Sequence, residues 1–283
     1  MALLPGITPT IPNHHVMPRK PSPDSGSLTC FGVGEGWPCP DRHHASFLFR
    51  FGETRFLFDA GDGLSSTYKA AALDYDLVDR VFLSHMHSDH VGGFSQFVQA
   101  LWLEKRRRPL PVHLPGAGIP AMRNWLQATV LFEELVGFPI YWEPLAENIP
   151  IREGGVTVLP FATTHLESLR KAFQKHHQDT CFEAYSFVMD GAGRRVAYTA
   201  DLGHSDDLDK LLSAPLNLLL CEASHVPLSD LLAKLRGKPL GKIVFIHLDR
   251  SHWANRARMR KQVKAALGPI PFAIAKDGDE FEF

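Results

Sequence analysis

The feature that most constrains this chain is the segment Ser84-His85-Met86-His87-Ser88-Asp89-His90, which follows directly on the apolar run Val81-Phe82-Leu83. Three imidazoles and a carboxylate set this close are too dense for a packed core, where each would need its own buried partner. In an extended or turning backbone His85 and His87 project the same way, and Asp89 and His90 follow on a tight turn ahead of Gly92-Gly93. That spacing presents two ligands to one cation and two to a neighbour. Other apolar runs that read as buried strands also end on potential ligands: RFLF on Asp59, VTVLPFATT on His165, RRVAYTA on Asp201 and KIVFI on His247. Carboxyl ends of strands are where mixed α/β structures gather functional groups, so these distant segments are expected to meet in one site.

The chain around this segment is of ordinary globular composition. Its 283 residues are 45% hydrophobic and 22% charged, with 30 basic against 31 acidic side chains, which excludes a disordered tail, a collagen-like fibre and a small disulfide scaffold. The near-zero charge argues against a surface that traps nucleic acid everywhere, while leaving room for a local basic stripe. Four cysteines, Cys30, Cys39, Cys181 and Cys221, form no C-x-x-C pair, which points to a reducing, cytoplasmic setting. No segment approaches the roughly 18 apolar residues of a membrane span, and the first residues lack a signal-peptide core. Residues 1–26 read as a Pro-rich extended arm in which His14 and His15 are incidental, and residues 27–283 as a single domain.

Strands are expected at 27–31, 45–51, 54–60, 80–85, 111–114, 139–142, 156–161, 184–190, 194–200, 216–222, 242–247 and 272–275, with hairpins at Gly52-Glu53 and Gly191-Ala192-Gly193. Helices are expected at about 93–105, 118–135, 205–213, 228–236 and 253–266. Strands come first in hairpins and later alternate with helices, which fits two mixed sheets with helices outside better than a doubly wound sheet. The run Gly32-Val33-Gly34-Glu35-Gly36 lacks the third glycine of a dinucleotide fingerprint and no helix pattern follows, so it reads as a loop.

His85-Met86-His87-Ser88-Asp89-His90 resembles the H-x-H-x-D-H signature of the metallo-β-lactamase superfamily, and Phe58-Asp59-Ala60-Gly61 resembles its strand-end Asp-x-Gly. His165, Asp201 and His247 follow in the order of the family's remaining ligands, so the resemblance covers nearly all of the chain after residue 27. It implies an αβ/βα four-layer sandwich, two mixed β-sheets flanked by helices. It further implies two Zn2+ ions, with Mn2+ or Fe2+ as alternatives, one held by His85, His87 and His165, the other by Asp89, His90 and His247, with Asp201 between them. Asp59 in such proteins orients a ligand rather than touching the metal. Leu28 to Gly32, Tyr198-Thr199-Ala200-Asp201 and Ala275-Lys276-Asp277-Gly278 look like segments of the ribonuclease Z and cyclic-phosphodiesterase branch. Two departures stand out: Cys221 occupies the position of that branch's histidine in His-Glu-Ala-Thr, with His225 four residues on, and residues 166–200 are too short for the long tRNA-gripping arm.

The resemblance therefore implies a dinuclear zinc-dependent hydrolase, first of all a phosphodiesterase, using a hydroxide between the metals as nucleophile. Asp89 would orient that nucleophile, and His225, Glu222 and His252 are candidates to protonate the leaving group. A lactonase, thioesterase or β-lactamase-like enzyme acting on a small ester or amide is the second reading. The third is a non-catalytic metal- or nucleic-acid-binding module. Lys105 to Arg108 read as the cationic end of a helix. The basic stretch from Arg250 to Lys264 is either a solvated helix face or a grip on phosphate, RNA included. Arg250 and His252, with His44 from the first hairpin, are the candidate substrate contacts. No membrane partner is expected, and aromatic residues in 125–142 would suit a homodimer surface.

Overall fold

In the computed structural model, which describes residues 26–283, strict alternation along each strand divides the apolar residues between two faces. Phe47, Phe49 and Phe51 point one way and Leu48 the other; Leu218 and Leu220 oppose Leu219 and Cys221; Val244 and Ile246 oppose Ile243 and Phe245. A strand that is apolar on both faces must be covered on both, and the fold meets this with four layers. The expected N-terminal arm, His14 and His15 included, lies outside the described residues.

One sheet contains β1 (Gly26–Gly32), β2 (Ser46–Phe51), β3 (Thr54–Phe58), β4 (Arg80–Phe82), β5 (Leu110–Pro115) and β6 (Ile140–Leu145). The other contains β7 (Ile151–Glu153), β8 (Val156–Ala162), β9 (Tyr185–Gly191), β10 (Arg194–Tyr198), β11 (Leu218–Ala223), β12 (Ile243–Leu248) and β13 (Phe272–Ile274), and β14 (Glu280–Glu282) returns to the first sheet beside β1. Each sheet is antiparallel in one half and parallel in the other, with β3 to β6 parallel in the first and β10 to β13 parallel in the second. The sheets face each other across an aromatic core in which Phe58 stacks on Phe82 at 4.7 Å and meets Phe187 edge-on at 5.0 Å. Each such ring contributes about 1.5–3 kcal/mol by burial.

Helices α1 (Leu64–Ala70), α2 (Ser88–Val91), α3 (Phe94–Leu103), α4 (Ile119–Ala128) and α5 (Glu133–Val136) belong to the first half of the chain, and Tyr68, Phe97, Leu101 and Met122 from this layer pack on the outer face of the first sheet. Helix α6 (Glu167–Phe173) buries none of its side chains. Helices α7 (Leu208–Leu211), α8 (Leu228–Leu235), α9 (Arg250–Ala254) and α10 (Arg256–Leu267) cover the second sheet through residues such as Leu211, Leu231, Leu235, Met259 and Val263.

Both expected hairpins are present. Ala192 and Gly193 connect β9 to β10 with φ of 50° and 68°, the doubly left-handed turn that matches strand twist. The expected helix 118–135 breaks after Ala128, where the Thr129 hydroxyl bonds back to the Trp125 carbonyl and Val130 turns left-handed at φ 61°. The helix expected at 253–266 is two helices, parted at Asn255, whose side chain caps α10 by accepting from the Arg258 N–H. In the 125–142 stretch Phe132 and Tyr141 are exposed while Phe138 is buried.

The reading of Lys105 to Arg108 as a cationic helix end is corrected at Arg106. That residue is fully buried, and its guanidinium donates to the carbonyls of Tyr75, Val78, Arg108 and Pro109. It ties the loop after α1 to the start of β5, satisfying carbonyls that burial would otherwise leave unpaired.

Candidate metal centre

The candidate residues collect at the carboxyl ends of strands from both sheets. Asp59 follows β3, Ser84 to Asp89 follow β4, His165 follows β8, Asp201 follows β10, and His225 follows β11. His247 lies inside β12, where alternation would turn it to the helical layer with Ile243 and Phe245. It escapes because it is the extra residue of a β-bulge: Glu222 and Ala223 of β11 pair with Ile246 and Leu248, and His247 adopts φ 46°. Bulges re-aim side chains in this way. Asp59 (φ 57°) and Ala200 (φ 45°) are also left-handed, so three of the eight non-glycine residues with positive φ among the described residues lie at this site.

The approach of α2 to the β3–α1 loop is permitted by glycine. A Cβ on Gly61 would lie 2.3 Å from the Asp89 carbonyl, and one on Gly93 2.2 Å from the Gly61 carbonyl. The resulting contact is sealed by hydrogen bonds from the Ala60 N–H to the His90 carbonyl (2.7 Å) and from the Gly93 N–H to the Ala60 carbonyl (2.8 Å).

Three groups of potential ligands result: two interlock through Asp201, and a third, Glu222, His225 and His247, shares His247 with one of them. His85, His87, His165 and Asp201 bring their ligand atoms within 4.8 Å of one another, as do Asp89, His90, Asp201 and His247. Asp201 belongs to both and divides its oxygens: Oδ2 lies 3.6 Å from His85 Nε2 and 3.6 Å from His165 Nε2, while Oδ1 lies 3.3 Å from His90 Nε2 and 3.6 Å from His247 Nε2. His165 Nε2 stands 3.2 Å from His87 Nδ1, and Asp89 Oδ2 stands 3.1 Å from His247 Nε2 and 3.5 Å from His90 Nε2.

These separations fit divalent cations. Atoms bound to one tetrahedral cation at 2.0–2.1 Å stand about 3.3 Å apart, close to the spacing found here. The outer ring atoms are already engaged. Asp59 Oδ2 accepts from His90 Nδ1 at 2.8 Å, and the Ser84 hydroxyl donates to that same oxygen at 3.0 Å while accepting from His85 Nδ1 at 3.0 Å. With both Nδ1 atoms engaged, Nε2 of His85 and of His90 is turned inward, and these atoms, with Asp201 Oδ1, are buried without a hydrogen-bond partner. A buried polar atom without a partner costs about 1–3 kcal/mol unless something else satisfies it.

Electrostatics agree. Burial, reinforced by His90, holds His85 neutral well below its ordinary range, and burial also lowers His87 and brings His165 to about 4. Burial opposes ionisation of Asp201, yet His247, His90 and His85 keep its carboxyl well below the usual carboxylate range. Burial likewise opposes a charge on His90, but Asp201 and Asp59 raise it far above the ordinary value. The centre thus draws positive charge into itself.

His225 stands at the rim. Its ring lies 4.5 Å from that of His165 and 5.3 Å from that of His247, and its Nε2 is 3.7 Å from Asp201 Oδ2. Glu222 is fully buried and accepts from the backbone N–H groups of Leu202, Ser224 and His225 and from His225 Nδ1, so it holds His225 and has no free donor capacity for a substrate. Cys221 faces the helical layer, where burial raises its thiol. Arg250, His252 and His44 are not among the interlocking groups. Arg250 lies over Trp37 at 4.1 Å, the His252 N–H bonds to the Asp249 carbonyl, and the His44 N–H to the Asp62 carbonyl. Two residues that organise the site escaped the sequence reading in this role: Ser84, and Tyr198, whose hydroxyl donates to Asp59 at 2.6 Å. Their signal was a polar tip at the end of an otherwise apolar strand.

Two mixed sheets with helices outside and strand-end ligands between them define the metallo-β-lactamase fold. A sequence profile described as "Beta-lactamase superfamily domain" matches residues 54–265, and the chain belongs to that superfamily. Ribonuclease Z of Protochlamydia amoebophila is 33% identical over 123 residues, a match covering 43% of this chain and 40% of that protein's own length. The metallo-beta-lactamase fold protein YhfI of Bacillus subtilis superposes with a TM-score of 0.72 at 20% identity, covering 92% of this chain and 100% of that one. The short form of human tRNase Z superposes with a TM-score of 0.65 at 16% identity, covering 90% and 98%. Among the described residues no helix is long and apolar enough to cross a membrane.

Proposed function

We propose that this chain is a dinuclear zinc-dependent phosphodiesterase. In this reading His85, His87 and His165 would hold one cation and Asp89, His90 and His247 the other, with Asp201 belonging to both sets. The observation that carries it is the division of Asp201, each oxygen turned to a different set of imidazoles. Two such cations supply an activated water at neutral pH and neutralise charge building on a phosphoryl oxygen. Asp89, at the mouth of the second set, orients the attacking water.

His225 protonates the leaving group. Burial opposes its charge, but the hydrogen bond to Glu222 and the charge of Asp201 push it up to about 9. Its Nδ1–H points to Glu222, which leaves Nε2–H as the donor toward the centre. Glu222 is a positioning residue.

The relatives named ribonuclease Z support a phosphodiester substrate, RNA among the options. The segment after His165 forms only the short exposed helix α6, which favours a small phosphodiester over a folded RNA. Four unpaired cysteines support a cytoplasmic setting.

The test is an assay of metal-loaded protein on bis(p-nitrophenyl) phosphate, beside a chromogenic cephalosporin and a lactone. Turnover of the phosphodiester is expected. Activity confined to the carbonyl substrates would overturn the assignment in favour of the ester or amide reading.

A further inference from the structure

Beside the Asp89 edge of the centre lies a groove that the mechanism above does not use. It encloses about 330 Å3 and is walled by Trp37, Arg42, Arg250 and Trp253, a volume at the lower end of small-molecule sites. Both walls are attached to the centre. The loop carrying Trp37 passes Asp89 so closely that a Cβ on Gly36 would lie 3.3 Å from its carboxylate, and the Val33 carbonyl accepts the His247 N–H at 2.8 Å. The opposite wall is α9, which starts three residues after His247.

The two indoles differ in how they are held. Trp253 is fixed: its Nε1–H donates to the buried Glu35 at 3.1 Å, and the Arg42 guanidinium lies on its face at 4.3 Å. Trp37 carries the Arg250 guanidinium at 4.1 Å yet is 55% exposed, a large aromatic surface left to solvent at a pocket mouth. Charge in the groove is unbalanced. Arg42 is met by Asp41 and Glu35, whereas Arg250 makes no ion pair among the described residues. Exposed indole together with unpaired guanidinium is the chemistry that receives a flat, π-rich group attached to an anion.

We propose that this groove is a base-stacking subsite: Trp37 stacks a nucleobase against the fixed Trp253 wall while Arg250 meets the attached phosphate. Resting on the phosphodiesterase reading, this identifies the substrate class of the adjacent centre as nucleotide phosphodiesters. It also divides the basic stretch from Arg250 to Lys264: Arg250 faces the groove, Arg256 lines a neighbouring pocket with Lys276 and Asp277, and Arg258, Arg260, Lys261 and Lys264 are exposed on α10.

The experiment is calorimetric titration of the metal-loaded full chain with adenosine 5′-monophosphate and, separately, ribose 5-phosphate, which lacks the base. The nucleotide is expected to bind more tightly than the sugar phosphate. Trp37→Ala should weaken the nucleotide about 5- to 150-fold, the range for loss of one stacked base, without moving ribose 5-phosphate. Trp37→Phe should restore most of the loss, and Arg250→Ala should weaken both ligands. Equal affinity for the two ligands, no binding of either, or a nucleotide affinity indifferent to Trp37→Ala overturns the subsite. A chain that binds the nucleotide through Trp37 but cleaves no phosphodiester would overturn the proposed reaction and leave the subsite standing.

Discussion

Replacing Asp59 by Asn tests whether the ligands are held from behind as the structure shows. Asp59 is fully buried, and its two oxygens receive four donors: the Ser84 N–H at 2.7 Å on Oδ1, then the Ser84 hydroxyl at 3.0 Å, His90 Nδ1 at 2.8 Å and the Tyr198 hydroxyl at 2.6 Å on Oδ2. Asparagine has nearly the same shape but only one acceptor oxygen. If that oxygen keeps the three donors at Oδ2, its amide nitrogen confronts the Ser84 N–H, leaving a buried donor unpaired at about 1–3 kcal/mol. His90 also loses a charged partner for its Nδ1–H, and weakening such a partner typically lowers metal affinity about 10- to 100-fold. Urea denaturation gives the stability change, and competition against a chromophoric chelator gives the affinity. A variant with metal affinity within about twofold of the parent and stability within about 0.5 kcal/mol would refute the role given to Asp59.

Further predictions rest on other residues. His225→Gln keeps a hydrogen-bonding side chain but has no proton to give, so kcat should fall about 10²- to 10⁴-fold while metal content is unchanged; a fall below about threefold would remove His225 as the general acid. His113 is buried, stacks on Phe82 at 4.7 Å and lies 2.9 Å from the Arg80 guanidinium, and burial with Arg80 lowers it to about 3. Because its folded value lies below the unfolded 6.5, the folded state binds fewer protons. Its contribution is therefore complete above about pH 6.5 and is lost as pH falls toward 3, amounting to roughly 2–3 kcal/mol between pH 6.5 and 4.5. His113→Gln, which keeps an acceptor for Arg80, should flatten this acid limb in denaturation experiments, and an unchanged slope would contradict the assignment.

Which parts of this were legible in the sequence follows from what each depends on. Strand ends were readable because an apolar run stops where burial stops, and that placed Asp59, His85, His165, Asp201 and His247 before any contact was known. The position of His247 is explained only by a bulge, since unbroken alternation would have turned it away from the centre. Register is a property of strand pairs and leaves little trace in one strand. Arg106 looked like surface charge because only tertiary packing reveals the carbonyls that it serves. Helix α6 was invisible because it buries nothing and so has no apolar period. The exchange between Cys221 and His225 was half legible: the sequence displayed both residues, but only the fold shows one facing the helices and the other the centre.

The central claim is that two cations share Asp201. Crystals of the metal-loaded protein, measured at the zinc absorption edge, should show two anomalous peaks about 3.5–4 Å apart. One should lie among His85, His87 and His165, the other among Asp89, His90 and His247, with the Asp201 carboxylate between them. A single peak, or peaks that leave Asp201 outside the coordination of either, would contradict it.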